Sequence, residues 1–433
     1  MKQVNVGIIG FGTVGAGTAE ILLNNSEIIR KRVGLDIVLK RVADLDLVTD
    51  RGVRLPDGVL TNDSAGLLND PEIDIVVELI GGLTTSKKFI STALQNGKHV
   101  VTANKALLAE YGSELYEIAS RNGVNLAYEA AVGGGMPVIG ALRDGLAANN
   151  TMTIMGILNG TSNYILTRMS KDGLPYEDAV KGAIKLGYAE DPPTLDVNGT
   201  DAAHKLAILI SLAYGVPAPF ERIYREGIDK LTQEDIQFAD EFGYCIKLLT
   251  VARNLGNEVD ARVHPAMLPK KHILANVNEA FNAVFIEGDY VGPTLYYGQG
   301  AGRRPTGSAV VSDIMAIARK IKSGSDKTVC PLGFADSTGQ NVRIQSMQNL
   351  KTAYYFRFSA LDKPGVLSKI AGILGENNIS ISSVIQKGRD TDGAVPIVTL
   401  THEAFERDVR SALEKIDKLD VLQDKTMMIR VMA

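Results

Sequence analysis

The chain has 433 residues, too many for one ordinary core and enough for two to four domains. Its 45% hydrophobic and 22% charged residues belong to a soluble globular protein, and a net charge of −4 without a Lys/Arg-rich block excludes a general nucleic-acid binder. Two cysteines, Cys245 and Cys330, exclude a disulfide framework and suit a reduced cytoplasm; five scattered histidines lack zinc-ligand spacing, no signal peptide is visible, and the apolar stretch near Leu206–Val216 falls short of a membrane span.

Val4–Ile9 reads as a buried parallel strand, followed at once by Gly10-Phe11-Gly12-Thr13-Val14-Gly15 and a helix over about Val14–Leu23. A G-x-G-x-x-G between strand and helix is the context that makes this motif a dinucleotide signal. Gly10 allows the tight turn, Gly12 lets a pyrophosphate approach the backbone, and Gly15 lets helix and strand pack closely. Further strands are expected at Ile37–Ala43, Ile75–Leu79, His99–Thr102 and Asn125–Ala131, with helices at Ser86–Gln95 and Leu107–Arg121. This alternation predicts a doubly wound parallel sheet, with ligands outside the carboxyl ends of its strands. Asp44 is the ribose-binding candidate that favours NAD, although it lies beyond the usual spacing. Arg41 favours the 2′-phosphate of NADP, and a plain Arg41–Asp44 surface pair is the remaining option. Lys105 opens a helix, where a cation is disfavoured, so a site role competes with a merely solvated lysine.

Beyond Ala130 the rhythm changes. Gly133–Pro137 is a breaker cluster, Val138–Ala147 reads as helix and Thr151–Leu158 as strand; helices follow near Tyr176–Leu186 and Thr200–Tyr214. Between the last two lies an acidic loop carrying Glu190 and Asp196, which is either solvated or part of a site. Asp201 and Lys205 stand four residues apart on the otherwise apolar helix that follows. On a surface helix they would form an ordinary salt bridge, but here they are flanked by Ala, Leu and Ile, and buried charges must pair or serve a site. Phe242–Val251 looks helical and gives Cys245 a packing role. Val259–Pro265, Val284–Gly288 and Thr294–Tyr297 look like strands, and Ser308–Ile321 is a helix returning to the dinucleotide domain. Residues 323–350 are linker-like. A compact βαββαβ pattern closes the chain, with strands at Ala353–Ala360, Ile379–Lys387, Ala394–Thr401 and Met427–Met432 and helices at Val366–Glu376 and Phe405–Lys415.

Several strings occur in order: Gly10-x-Gly12-Thr-Val-Gly15, Thr102-Ala-Asn-Lys105, Asn159-Gly-Thr161-Ser-Asn163-Tyr164-Ile-Leu and Gly187-Tyr-Ala-Glu190-Asp-Pro192, then Asp196, Asn198-Gly, Asp201 and Lys205. Over about residues 1–325 the chain resembles homoserine dehydrogenases, with one departure: Leu83-Thr-Thr-Ser86 stands where that family often has a Pro-Ala pair. The turn Leu361-Asp362-Lys-Pro364-Gly365-Val-Leu resembles the start of an ACT domain, a small amino-acid-sensing module.

The resemblance implies a Rossmann domain at 1–135 with its returning helix at about 305–322, and an α+β substrate and dimerisation domain at 136–304. A linker at 323–350 and a ferredoxin-like ACT domain at 351–433 complete it. It also implies reversible hydride transfer between NADP or NAD and L-homoserine/L-aspartate 4-semialdehyde, on the route to threonine, methionine and isoleucine. Lys205 matches the general acid/base and Lys105 the second active-site lysine; Glu190, Asp201 and Asp196 match substrate contacts. Gly10, Phe11, Gly12, Thr13, Val14, Gly15, Arg41, Lys105, Gly187 and Gly302 fall in the cofactor site. A sodium-type cation would be held at Glu129, Val132, Gly134 and Met136, partly by backbone carbonyls. L-threonine would bind paired ACT modules near Asp362, Gly365, Val366, Asn378 and Ile379. A homodimer or homotetramer is expected, without nucleic-acid or membrane partners.

A lysine base agrees with the chemistry: alcohol oxidation needs a proton acceptor and aldehyde reduction a donor. A free lysine, with a pKa of about 10.4, is too basic for this, and a neighbouring cation and desolvation would each lower it, so Lys105 and Lys205 are expected to converge. Three other readings compete. An aspartate-semialdehyde dehydrogenase needs a cysteine nucleophile, for which neither cysteine has a setting. A catalytically inactive nucleotide-binding amino-acid sensor has no reason to keep Lys105, Glu190, Asp201 and Lys205 together. A fused kinase form is not expected, since no kinase segment precedes the Gly-rich turn. The ACT-like module alone could also serve dimerisation without an effector.

Overall fold

The computed structural model describes residues 3–325, 331–335, 342–387 and 393–432; Cys330 and part of the expected linker lie outside them. The chain forms two compact units, one of Met1–Gly160, Asp201–Arg222 and Phe281–Val342, the other of Thr161–Thr200, Ile223–Ala280 and Arg343–Ala433.

The first unit opens with β1 (Gln3–Ile9), α1 (Thr13–Asn24), α2 (Ser26–Val33), β2 (Asp36–Ala43), β3 (Leu60–Thr61) and α3 (Ser64–Asn69). β4 (Ile75–Glu78), α4 (Thr84–Gln95), β5 (His99–Thr102), α5 (Lys105–Arg121) and β6 (Leu126–Ala127) complete a parallel sheet of order β3-β2-β1-β4-β5-β6. The order reverses beside β1, which creates the crevice where doubly wound sheets bind ligands. The β4 sequence Ile-Val-Val-Glu is buried throughout, as a central parallel strand requires. Next come α6 (Val138–Gly140) and β7 (Thr151–Ile157).

The middle of the chain supplies α7 (Gly160–Asp172), α8 (Tyr176–Lys185), α9 (Thr194–Val197) and α10 (Thr200–Tyr214), then β8 (Tyr224–Arg225), α11 (Gln233–Glu241), β9 (Tyr244–Asn254) and β10 (Val259–Pro269). β11 (Phe281–Gly288) and β12 (Gly292–Gln299) return to the first unit, where β7, β11 and β12 pair antiparallel. α12 (Arg303–Ser323) then packs on α1 as the returning helix. Glycine makes that crossing possible: a Cβ on Gly17 would lie 2.1 Å from the Arg303 carbonyl oxygen.

β13 (Lys351–Leu361), α13 (Val366–Glu376), β14 (Ile381–Gln386), β15 (Ala394–Thr401), β16 (Ala404–Phe405), α14 (Glu406–Ile416) and β17 (Met427–Val431) form the C-terminal module. Its antiparallel order β17-β13-β15-β14 is that of a ferredoxin-like βαββαβ fold. Inside the second unit β17 also pairs parallel with β10, so the module continues the sheet of β9 and β10.

Three expectations need correction. Phe242–Val251 is not a helix: β9 pairs with β10 over 11 registered positions, and a short apolar run carries no periodicity that separates the two states. Cys245 is therefore a strand residue, its Sγ 3.8 Å from the Ala275 carbonyl. The expected strand Asn125–Ala131 shrinks to β6 and a 3-10 turn at Glu129–Ala131. Val138–Ala147 becomes one α turn and a π turn at Ala141–Gly145, entered where the Glu129 carboxylate accepts the Ile139 and Gly140 N–H groups. Helices α2 and α11 carry no expectation from the sequence; α11 is set by the Thr232/Asp235 capping box. Among the described residues no helix is long and apolar enough to cross a membrane.

Candidate active site

The glycine-rich turn is built as its spacing predicts. Gly10 has φ +100°, and a Cβ on Gly15 would meet the Gly10 carbonyl oxygen at 2.0 Å, so neither accepts a side chain. A Cβ on Gly12 would enter open space, the side from which a phosphate approaches. Gly12 caps α1 without a side-chain acceptor, and no acidic residue stands in the first turn. The N–H groups at Thr13 and Val14 thus face that opening with the helix dipole behind them. Asp44 braces the turn: its carboxylate accepts the Phe11 N–H and, through its other oxygen, the Asp46 N–H at 2.8 Å. The Arg41–Asp44 pair does not form; Arg41, about half exposed, has its Nε 3.9 Å from Asp70.

At the carboxyl end of β5, Asn104 caps α5 by accepting the Leu107 N–H at 3.1 Å. This makes Lys105 the first residue of the helix. α10 enters the same unit with Asp201 in its first turn and Lys205 one turn on, both buried. Lys205 Nζ donates to Asp201 Oδ2 at 2.7 Å and to the Leu158 carbonyl at 2.6 Å. Asn159 Nδ2 donates to the same Oδ2 at 2.9 Å, and Lys105 Nζ lies 3.1 Å from Oδ1. The expected convergence of the two lysines is thus present, with one carboxylate between them. Burial alone would raise the Asp201 pKa, but the Lys205 and Lys105 ammonium groups, with hydrogen bonds from Lys205 and Asn159, hold it well below the usual carboxylate range. The cluster therefore carries two cations on one anion. Among the described residues, Lys205 spends two of its three N–H directions, and Lys105 is 44% exposed, so the positive charge has an open side.

Other candidates lie elsewhere. Gly302 has φ +130° and caps α12 in the first unit. Glu190 and Asp196 belong to the second unit, Glu190 exposed on the loop after α8 and Asp196 partly buried in α9. Gly187, with φ +73°, follows the C-cap of α8, a position that glycine takes for conformational reasons. Glu129 is buried; its two carboxylate oxygens accept the Ile139 and Gly140 N–H groups at 2.8 and 2.7 Å, while its own N–H donates to Asp313 at 2.7 Å. Burial pushes the carboxyls of both Glu129 and Asp313 up, Asp313 to about 7. Val132, Gly134 and Met136 follow Glu129 through the turn at Gly133–Gly134, where both glycines have positive φ. In the C-terminal module, Asp362, Gly365 and Val366 stand at the start of α13. Asn378 (φ +58°) and Ile379 follow its end, 11 helical residues or about 16 Å away, so one copy does not bring the two groups together.

Three residues at or beside the cluster have no assigned role from the sequence. Asn159 touches Asp201, Asn282 Nδ2 donates to the Leu158 carbonyl at 2.9 Å, and Glu78 is a fully buried carboxylate at the end of β4. An acid that closes a run of buried Ile and Val is a signal available in the sequence for Glu78. Asn282 leaves none, because its burial depends on the pairing of β11 with β7.

A helix start open to phosphate and a proton-carrying lysine in the same unit are what a dinucleotide-dependent oxidoreductase needs, and the chain is of that class. Residues 10–129 match the family model for the homoserine dehydrogenase NAD-binding domain, 137–315 that for homoserine dehydrogenase, and 354–421 that for the ACT domain. The homoserine dehydrogenase of Neisseria gonorrhoeae is 45% identical over 431 residues, covering 100% of this chain and 99% of that one. A solved homoserine dehydrogenase from Thiobacillus denitrificans superposes with TM-score 0.94 at 46% identity, over 100% of this chain and 99% of that one. A hyperthermophilic archaeal homoserine dehydrogenase solved in complex with NADPH has TM-score 0.63 at 29% identity, over 74% of this chain and 98% of that one. The chain belongs to the homoserine dehydrogenase family.

Proposed function

We propose that the protein interconverts L-homoserine and L-aspartate 4-semialdehyde, with Lys205 as general acid/base. The observation that carries this reading is the cluster of two lysines on one carboxylate, with a Lys205 donor direction unspent among the described residues. In the oxidative direction Lys205, in its neutral form, takes the hydroxyl proton; in reduction its ammonium returns a proton to the nascent alkoxide. Asp201 and the Leu158 carbonyl fix the Lys205 nitrogen, and Lys105 adds the second positive charge that favours an alkoxide. Asp201, Glu190 and Asp196 contact the substrate, the carboxylates matching its ammonium group. The bound nicotinamide supplies the hydride acceptor or donor.

Gly10 to Gly15 receive the pyrophosphate, and Gly187 and Gly302 complete the cofactor site. NADP is the preferred nucleotide: Asp44 is already engaged by Phe11 and Asp46, Arg41 is about half exposed, and the archaeal relative was solved with NADPH. Glu129, Val132, Gly134 and Met136 suit a sodium-type cation, since the carboxylate and turn carbonyls are hard donors; such an ion would stiffen the turn and take no part in hydride transfer. L-threonine is the effector. The separation of its two candidate loops along α13 supports a site shared between paired modules, and hence a homodimer or homotetramer, working in the cytoplasm. Functionally, residues 1–135 and 305–322 bind nucleotide, 136–304 substrate, and 351–433 effector, with 323–350 as linker.

Nicotinamide absorbance with L-homoserine tests the reading, run with NADP and NAD, with and without L-threonine and sodium. Homoserine-dependent reduction, faster with NADP and slowed by threonine, is expected. No reduction with either nucleotide by folded protein overturns it.

A further inference from the structure

One buried carboxylate ties together the carboxyl ends of β4 and β5. Glu78 Oε1 accepts the N–H groups of Ile80 at 2.9 Å and Gly81 at 3.3 Å and the Ser86 hydroxyl at 3.0 Å; Oε2 accepts the Thr102 hydroxyl at 2.8 Å. The two N–H groups and the Thr102 hydroxyl are donors, while the single Ser86 proton is shared out between Glu78 and the Gly81 carbonyl, 2.6 Å from the same oxygen. Most of the site is therefore shaped for an acceptor, although burial pushes the Glu78 carboxyl up. The chain of bonds continues with a fixed polarity. Thr102 Oγ1 accepts the Asn104 N–H at 3.1 Å, while Asn104 Nδ2 donates to the Gly82 carbonyl at 2.6 Å and closes a loop back to the segment that Glu78 holds. Asn104 Oδ1 meanwhile caps α5, whose first residue is Lys105. The β4 and β5 turns, the cap and the lysine thus form one hydrogen-bonded frame, and Lys105 reaches Asp201 from its end.

We propose that Glu78 is a positioning residue for Lys105: through Thr102 and Asn104 it fixes the start of α5, so that the ammonium meets Asp201 in the geometry the reaction uses. The proposal rests on the reading of Lys105 as an active-site lysine. An apolar residue would fill this buried strand end equally well if packing were its only purpose, whereas a carboxylate there must be desolvated and supplied with donors on both oxygens.

The test is steady-state homoserine oxidation by the full-length protein, with thermal melting as the fold control, for Glu78→Gln, Thr102→Val, Thr102→Ser and Lys105→Met. An amide at position 78 sets its N–H groups either against the Ile80 and Gly81 N–H donors or against the Thr102 hydroxyl, which must then accept instead of donate, and valine at 102 removes the link. Each should lower kcat by about 10- to 100-fold through misplacement of the lysine, with the homoserine KM changed by less than about threefold. Each should also displace the pH profile of kcat in the direction that Lys105→Met does, and Thr102→Ser, which keeps the hydroxyl, should restore both. A folded Glu78→Gln protein with wild-type kcat and pH profile overturns the proposal, as does Thr102→Ser as impaired as Thr102→Val. If Lys105→Met itself behaves as wild type, the lysine assignment falls and takes the proposal with it. Impaired Lys105→Met beside intact Glu78→Gln sinks the positioning role alone. Should Glu78→Gln fail to fold, Thr102→Val against Thr102→Ser carries the same comparison, since only the first removes the donor that links Glu78 to Asn104.

Discussion

Two buried charge clusters in this molecule use the same chemistry to opposite ends. In the second unit Arg430, 1% exposed, donates to both carboxylate oxygens of Glu406, through Nε at 2.9 Å and Nη2 at 2.5 Å, and to Glu226 at 2.8 Å. Arg410 and the Tyr354 hydroxyl complete Glu406, at 2.9–3.0 Å. Two guanidiniums face two carboxylates, so the charge balances, with Arg430 and Glu406 buried and Arg410 at the surface. The Asp201 cluster instead sets two ammonium groups on one carboxylate, with a Lys205 donor direction unspent among the described residues. The difference lies in the cation. A guanidinium keeps its charge and fills its fork of donors, so it binds elements together; an ammonium can surrender a proton, and an unspent donor gives it something to act upon. Balanced charge on guanidiniums marks a joint here, and unbalanced charge with an unspent ammonium donor marks a site.

Removing a cation from each cluster is the sharpest way to break this contrast. Arg430→Met leaves Glu406 buried and short of its main partner, which should cost about 3–5 kcal/mol of stability, read by chemical or thermal unfolding. Adding Glu406→Leu should recover part of that loss; a double variant no better than the single would mean the cluster is not a joint. Lys205→Met should act chiefly on turnover, lowering kcat in both directions by about 10²- to 10⁴-fold. It also takes a partner from buried Asp201, but Lys105 and Asn159 remain, so its melting temperature should fall by less than that of Arg430→Met. Wild-type turnover in that variant removes the acid/base assignment.

Acid titration probes the smallest effect. Asp201 has a depressed folded-state pKa, so its pairing contributes fully above about pH 4, the ordinary carboxylate value, and is lost progressively as pH falls from there through the folded-state value. Asp201→Asn should therefore show a shallower loss of melting temperature than wild type on acidification below about pH 5. Glu406 is depressed too: burial would raise it, but the Arg430 and Arg410 guanidiniums lower it further. Glu406→Gln should flatten the same limb. A wild-type acid limb in both variants would show that neither cluster's pairing differs between folded and unfolded chains.

The parallel sheet was legible because its strands are continuous apolar runs separated by glycine turns and amphipathic helices, and β1, β2, β4 and β5 fall within two residues of expectation. The failures share a cause. β9 is buried along most of its length, so it shows no alternation, and only pairing with β10 distinguishes it from a helix. The turn that leads into the π helix at Ala141–Gly145 is held at Ile139 and Gly140 by Glu129, ten and eleven positions away. At the site, Asp201 and Lys205 were readable from their spacing on one apolar helix. The Arg41–Asp44 pair failed because each acid and base found a nearer partner through the fold, Asp44 in the Gly-rich turn and Arg41 beside Asp70.

By itself the sequence determined the dinucleotide turn, the Asp201–Lys205 helix and the βαββαβ order of the C-terminal module. Each depends on residues within one or two elements, where spacing and glycine conformation act locally. Tertiary structure alone decided that Lys105 shares Asp201 with Lys205, that Asn159 and the Leu158 carbonyl complete their frame, and that the C-terminal module continues a sheet through β10 and β17. Those contacts join segments about 40 to 160 residues apart. Their partners are selected by which strand ends and helix starts the folded sheets bring side by side, a choice that no local pattern encodes.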